Sequence, residues 1–402
     1  MRQSIAVLQD NDGQSAMKKI LIMMTDTGGG GHRASAEALR DAFHKRYGQR
    51  FRVDMVDLWM KHTPPPLNQV PKAYRFLVDD VPWLYRFIYE VGQKPEVIDP
   101  MMEAAARFLQ PFVRRTIQER DPDLIVSVHP LMQAIPLNVL KRMQRRVPFV
   151  TVVTDWITIP PVWFDADATL CVVPSEEGYQ QALRAGLRPQ QVRKLGLPIR
   201  PAFARKPRPK VDLREGLGMV RELPAALVVS GGEGMGRVGE IAQAVSARLA
   251  AEGRRKPAGQ LAVICGRNQE LLEALSVQPW PVPTVIQGFV EEIWDWMAAC
   301  DCVITKAGPG TIAEALALGL PILLSGYIPG QETGNVPYVL KNGVGVYVED
   351  PWQIAEVIAG WFGPQREQLG HLAENARRLG RPQAAFEIIE ELVQLLESPV
   401  QR

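Results

Sequence analysis

Short apolar runs recur along the chain, each followed by a turn-rich segment and then by a stretch with a helical period. Ile20 to Met24 is the first such run. It leads into Asp26-Thr27-Gly28-Gly29-Gly30-Gly31-His32, after which Ala38, Leu39, Ala42 and Phe43 recur among charged residues, as on a helix with one buried face. Phe51 to Val56 begins a second strand. The same rhythm predicts a helix over 102–119 and strands over 123–128, 147–154 and 168–173. From Gly196 to Val211 the chain is proline-rich and basic with no apolar period, which reads as a linker. Beyond it, strands are expected over 225–230, 261–265, 285–289, 302–305 and, as the last one, 321–325, with a helix over 238–251 and further helices between 367 and 396.

Strands alternating with helices build parallel, doubly wound sheets, so the fold class is α/β with two such lobes. The expected division is a disordered tail over 1–16, a first lobe over 17–197, a linker over 198–211, a second lobe over 212–365 and closing helices over 366–402. Residues 58–99 interrupt the first lobe. They mix Pro64, Pro65, Pro66, Pro71 and Pro82 with Trp59, Tyr74, Phe76, Trp83, Tyr85, Phe87 and Tyr89 and with Lys61, Lys72, Arg75 and Arg86, without a period. So many rings argue against disorder. Two readings stand: a satellite core, or rings and cations suited to a membrane interface.

Composition narrows the class. With 402 residues, 46% hydrophobic and 22% charged, the chain has the make-up of an ordinary folded protein of two domains. Its four cysteines show no metal or disulfide spacing, and a reducing cytosol fits them. No apolar run reaches the ~18 residues of a spanning helix, and the polar start lacks the core of a signal peptide. The net charge of +2 conceals an asymmetry: residues 1–205 hold 28 Lys+Arg against 21 Asp+Glu, and the remainder 18 against 23. A basic half attracts anionic surfaces such as phospholipid, or is simply solvated.

The candidate chemistry lies in the turns. Glycines at a strand-to-helix turn admit a ligand close to backbone N–H groups, and the helix behind them offers its positive dipole end. At that rim the dipole favours a neutral His32, able to accept a proton near pH 7. His129, Asp155 and Trp163 also follow strands, at the sheet edge where doubly wound folds bind ligands; His129 reads equally as a structural residue. In the second lobe, Gly231-Gly232-Glu233-Gly234-Met235-Gly236 is another glycine loop, and Gly308-Pro309-Gly310-Thr311 forms a phosphate cradle with Pro309 near the first helical position. Glu314, one turn on, is placed to accept from a ribose diol. The polar loop from Gly326 to Asn335 suits sugar hydroxyls. Gly29 to Ala34 also fits the dinucleotide pattern of a dehydrogenase, but two lobes that each carry such a turn point to a transferase, and no P-loop is present.

Several long motifs, in order, resemble those of the monogalactosyldiacylglycerol synthase family. They are Asp26 to Glu37, Asp57-Leu-Trp, His62-Thr-Pro, His129 to Gln133, Ser230 to Gly236, Thr305 to Ala315 and Tyr327 to Tyr338. The resemblance implies a GT-B fold, with two Rossmann-like lobes facing a cleft, and an inverting glycosyltransferase that moves galactose from UDP-galactose to the sn-3 hydroxyl of diacylglycerol. It implies no cofactor and no metal site, UDP-sugar being a substrate, and peripheral attachment to the cytoplasmic face of a membrane with anionic phospholipid and no nucleic-acid partner. His32 would be the base. Gly231, Gly232 and Glu233 belong to the donor side; Gly308, Pro309, Gly310 and Thr311 would cradle the diphosphate, and Glu314 would hold the ribose. Gly288, Phe289 and Val290 would meet uracil, and Gln331, Glu332 and Asn335 would read the sugar. Gly30, Gly31, Pro66, His129, Asp155 and Trp163 would form the acceptor and lipid side. The alternatives are a UDP-glucose-dependent diacylglycerol glucosyltransferase and a non-catalytic nucleotide-sugar-binding protein at a membrane surface.

Overall fold

The computed structural model describes residues 17–25, 30–62, 81, 83–84, 91, 95–234, 236–250 and 257–397. The expected tail over 1–16, Pro66 with most of the 58–99 insertion, and the first glycines of the loop lie outside the described residues. In the first lobe the strands are β1 (Lys18–Met24), β2 (Phe51–Asp57), β3 (Leu124–Ser127), β4 (Phe149–Val152), β5 (Leu170–Val173) and β6 (Val192–Lys194). They pair in the order β2-β1-β3-β4-β5-β6, all parallel, with Ile22 registered against Met55 on one side and Val126 on the other. Helices cover both faces, so Ile20 to Met23 are each 0–1% exposed.

The second lobe repeats the plan. Its strands are β7 (Ala225–Val229), β8 (Gln260–Ile264), β9 (Thr284–Gln287), β10 (Cys302–Lys306), β11 (Ile322–Gly326) and β12 (Gly345–Tyr347), in the parallel order β12-β11-β10-β7-β8-β9. Chain order reverses between β1 and β3 in one sheet and between β7 and β10 in the other. At such a reversal the loops above adjacent strands part in opposite directions and leave a crevice.

The structure corrects several expectations. Strands β6 and β12 were not foreseen, because three residues at a sheet edge make no apolar run; β11 is therefore not the last strand. The first helix starts at Gly31, seven residues before Ala38, the first position of its apolar period, so His32 stands in the first helical turn rather than in a loop. The supposed linker is not a loose tether. Ile199, Ala202 and Phe203 are buried in the core of the second lobe, and a helix begins already at Lys210. Nor do the closing helices form one unit. The helix Arg366–Leu379 packs Ala376 into the second lobe, whereas Ala384–Glu397 crosses back and buries Ala385, Ile388, Ile389, Leu392 and Val393 beside Ala36, Leu39 and Phe43 of the first. Leu58 and Trp59, expected as the start of the insertion, pack into the first-lobe core with Leu109 and Val113. Trp83 is 70% exposed.

Candidate active site

Gly30 caps the first helix and Gly31 opens it; nothing described lies within 4 Å of where either would carry a Cβ. His32 follows, directly above the β1/β3 reversal. Its Nδ1 lies 2.6 Å from Oγ1 of Thr154, a residue just beyond β4, and that oxygen lies 3.3 Å from the Val128 carbonyl. A hydroxyl has one proton. When Thr154 donates it to Val128, Oγ1 accepts from Nδ1–H, and this assignment satisfies both distances and leaves the imidazole lone pair on Nε2. Thr154 is 4% exposed, so its hydroxyl is not competed for by bulk water.

His129 meets His32 edge-on, with ring centroids 4.6 Å apart. Its Nδ1 accepts from the Leu131 N–H at 3.2 Å and caps the short turn Pro130–Met132. Burial first, and the neighbouring His32 second, hold its pKa well below the ordinary 6.5, so the ring is neutral at pH 7. The unfolded chain takes up this proton near pH 6.5 and the folded chain only at much lower pH. The contribution of His129 to stability is thus complete above that value and is lost as the solution is acidified through the folded value. Urea unfolding at stepped pH is expected to show stability falling from pH 7 to pH 5. In His129→Asn, which keeps an acceptor for Leu131 without a titrating ring, the fall is shallower; equal slopes would contradict the assignment.

Trp163 is wholly buried, 6.1 Å from His32, and its Nε1–H donates to Asp155 Oδ2 at 2.7 Å. The expected contact of Trp163 with lipid is replaced by a supporting one. Asp155 is also a bridge, its Oδ1 accepting from Gln331 Nε2 of the second lobe at 3.0 Å. Next to it, the Gly334 N–H donates to Thr158 Oγ1 at 3.0 Å, and Trp156 packs on Tyr338 with centroids 5.6 Å apart. The two lobes therefore touch through 155–158 and 331–338.

In the second lobe, Gly308 caps the helix Pro309–Leu318, with Pro309 in its first turn and Gly310 and Thr311 after it. Asn335 is buried and its Nδ2 donates to the Ala307 carbonyl at 2.8 Å, so it grips the turn itself, while its Oδ1 meets no hydrogen-bond donor among the described residues. Glu332 is likewise engaged, accepting from Lys306 Nζ at 2.6 Å and from the Ile328 N–H at 2.8 Å. Glu314 is buried in the same helix and pairs with Arg200 Nη1 at 2.5 Å. Desolvation raises its pKa and Arg200 opposes the rise. Gly231, Gly232 and Glu233 form the turn after β7, where Arg267 Nη1 donates to Glu233 Oε1 at 3.0 Å. The Arg267 guanidinium stacks 4.2 Å from the Phe289 ring centroid, and Phe289, 46% exposed between Gly288 and Val290, offers a flat aromatic edge.

The sequence reading missed Thr154, Thr158, Arg200, Arg267 and Lys306. Two had a signal available: Thr154 precedes Asp155, and Lys306 precedes the phosphate turn. Arg200 had none, because its partner lies 114 residues away.

Residues 32–199 match the family model for monogalactosyldiacylglycerol (MGDG) synthase and residues 226–350 that for the glycosyltransferase family 28 C-terminal domain. A monogalactosyldiacylglycerol synthase of Spinacia oleracea is 47% identical over 95% of this chain and 73% of its own length. A probable one of Nicotiana tabacum is 47% identical over 94% and 71%. Among solved structures, MurG of Acinetobacter baumannii superposes with a TM-score of 0.59 at 14% identity, covering 94% of this chain and 99% of that one. Anabaena HepE, solved in complex with UDP, superposes at 0.52 and 17%, covering 94% and 100%. These distant likenesses establish the two-lobed GT-B fold.

Proposed function

The chain belongs to the monogalactosyldiacylglycerol synthase family, glycosyltransferases that move galactose from UDP-galactose to diacylglycerol, and we propose that it does so by direct displacement with His32 as the base. The observation that carries this reading is the bond from His32 Nδ1 to Thr154, since it leaves Nε2 to accept a proton at the crevice of the acceptor lobe. The acceptor hydroxyl gives its proton to Nε2 as its oxygen bonds to the anomeric carbon. The bond from that carbon to UDP breaks on the opposite face, inverting the centre, and its electron pair leaves on the β-phosphate. Backbone N–H groups at Gly310 and Thr311, with the helix dipole, would stabilise the departing charge. Glu314, with Arg200 on one carboxylate oxygen, would receive the ribose on the other. Phe289 and the backbone of Gly288 and Val290 would meet the uracil, and Gln331 would stand between sugar and acceptor.

Diacylglycerol is a membrane lipid, and among the described residues no helix is long and apolar enough to cross a membrane. Peripheral binding through the basic first lobe, with exposed Trp83 and Phe108, accounts for access to it. Offered labelled UDP-galactose and UDP-glucose separately with diacylglycerol in anionic vesicles, the protein is expected to put label from UDP-galactose alone into a single-sugar lipid. Label only from UDP-glucose would make it a glucosyltransferase; label from neither would return it to the binding-protein reading.

Thr154 acts through His32, so its variants separate positioning from simple packing. Thr154→Val is expected to lower kcat about 10-fold, the worth of one buried hydrogen bond, with little change in KM for UDP-galactose. Thr154→Ser keeps the hydroxyl and should restore most of the rate. A serine variant as slow as the valine one would assign the loss to packing.

A further inference from the structure

Lys306 is the last residue of β10, immediately before the turn Ala307-Gly308-Pro309. Its side chain runs between the two glycine turns that flank the β7/β10 reversal. A Cβ on Gly231 would lie 3.8 Å from Lys306 Cε, and one on Gly308 would lie 3.8 Å from Nζ and 3.7 Å from Glu332 Oε1. A cation thus lies at the crevice of this sheet, beside two glycines that put no side chain toward it. Charge balance within the chain explains only part of this arrangement. The Glu332 carboxylate, 4% exposed, compensates the ammonium at 2.6 Å, and its second oxygen is held by the Ile328 N–H. An ammonium has three N–H donors, and Glu332 uses one of them.

We propose that Lys306 binds the diphosphate of the nucleotide donor, bridging Glu332 and a phosphate oxygen, and follows the charge onto the leaving nucleoside diphosphate as the glycosidic bond breaks. This rests on the donor-side reading given above. A point charge suits a moving anion, because its energy changes little as the phosphate shifts by a few tenths of an ångström during bond cleavage, whereas a bidentate arginine would hold one geometry. The turn N–H groups and the helix end supply oriented partial charges, and Lys306 adds an ammonium whose charge is shared between Glu332 and the phosphate.

Calorimetric titration of UDP and of uridine into the full-length protein and two variants tests the assignment. Lys306→Met is expected to weaken UDP binding by about 10–100-fold, the usual worth of a charge-assisted hydrogen bond, and to leave uridine binding unchanged. Lys306→Arg, which retains the charge, should stay within a few-fold of the parent for both. Unaltered UDP affinity in Lys306→Met overturns the proposal. So does an equal loss for UDP and uridine, which would mean that the site, not the phosphate contact, was damaged. Because the readout is binding, a protein that behaves as expected here yet transfers no galactose would count against the proposed reaction and leave Lys306 assigned.

Discussion

His32→Ala is expected to lower turnover by about 10²–10⁴-fold, the range for loss of a general base, while the affinity for UDP stays at the parent value. The split follows from the geometry. His32 stands above the β1/β3 reversal of one sheet, and the turn proposed to hold the diphosphate stands at the β7/β10 reversal of the other, so the substitution falls on a different lobe from that turn. Nor does it empty a core position, since its packed neighbours Trp163 and His129 are held by their own bonds to Asp155 and Leu131. Steady-state rates with saturating donor, set beside calorimetric UDP binding, read both quantities. A variant that turned over at the parent rate would take His32 out of the mechanism.

Gly234→Ala should abolish donor binding and lower the melting temperature of the second lobe by roughly 6–12 °C, the equivalent of about 3 kcal/mol. The backbone at Gly234 has φ +62°, and a Cβ there would sit 1.9 Å from the Cys265 carbonyl oxygen. No rotamer relieves that overlap, because both atoms are fixed to the backbone. Gly266 faces it with φ +60°, and its own Cβ would lie 2.4 Å from the Gly232 carbonyl oxygen. The turns after β7 and β8 are interlocked through these two residues, with the Arg267 N–H donating to Gly232 at 2.9 Å. Separating them would move Glu233 and Arg267 and tilt the Phe289 edge. Thermal unfolding and UDP titration of the variant check both effects; a parent-like melting temperature would show that the turns have room to part.

The sheets were legible because a strand buried on both faces must be an unbroken apolar run, as in Ile20–Met24 or Ala225–Val229. The glycine turns were legible because few other residues allow that approach of backbone. What escaped was of another kind. The three-residue strands β6 and β12 have too little sequence to carry a period. The helix Ala384–Glu397 showed its apolar stripe, but a stripe does not say which lobe it covers. At the site, residue types gave the two turns and His32, while the couplings between them were invisible: Thr154 under His32, Asp155 between Trp163 and Gln331, Arg200 on Glu314. Most of those pairs join segments far apart in the chain, and pairing over such distances is decided by the fold. Asn335 shows the limit most plainly, since a polar residue in a polar loop is turned inward to hold the Ala307 carbonyl.

The polypeptide passes between the lobes twice, near 196–205 on the way out and near 380–384 on the way back, and the returning helix is seated by Arg46 on Glu390 and Arg193 on Glu391. A single tether would let one lobe swivel freely on the other. Two passes, together with the contacts of 155–158 on 331–338, restrict how one lobe can turn against the other. The same feature sets a rule for engineering chimaeras: a donor lobe borrowed from a relative must be spliced in at two junctions, because a single crossover at residue 205 would give the acceptor lobe a foreign helix to complete its core.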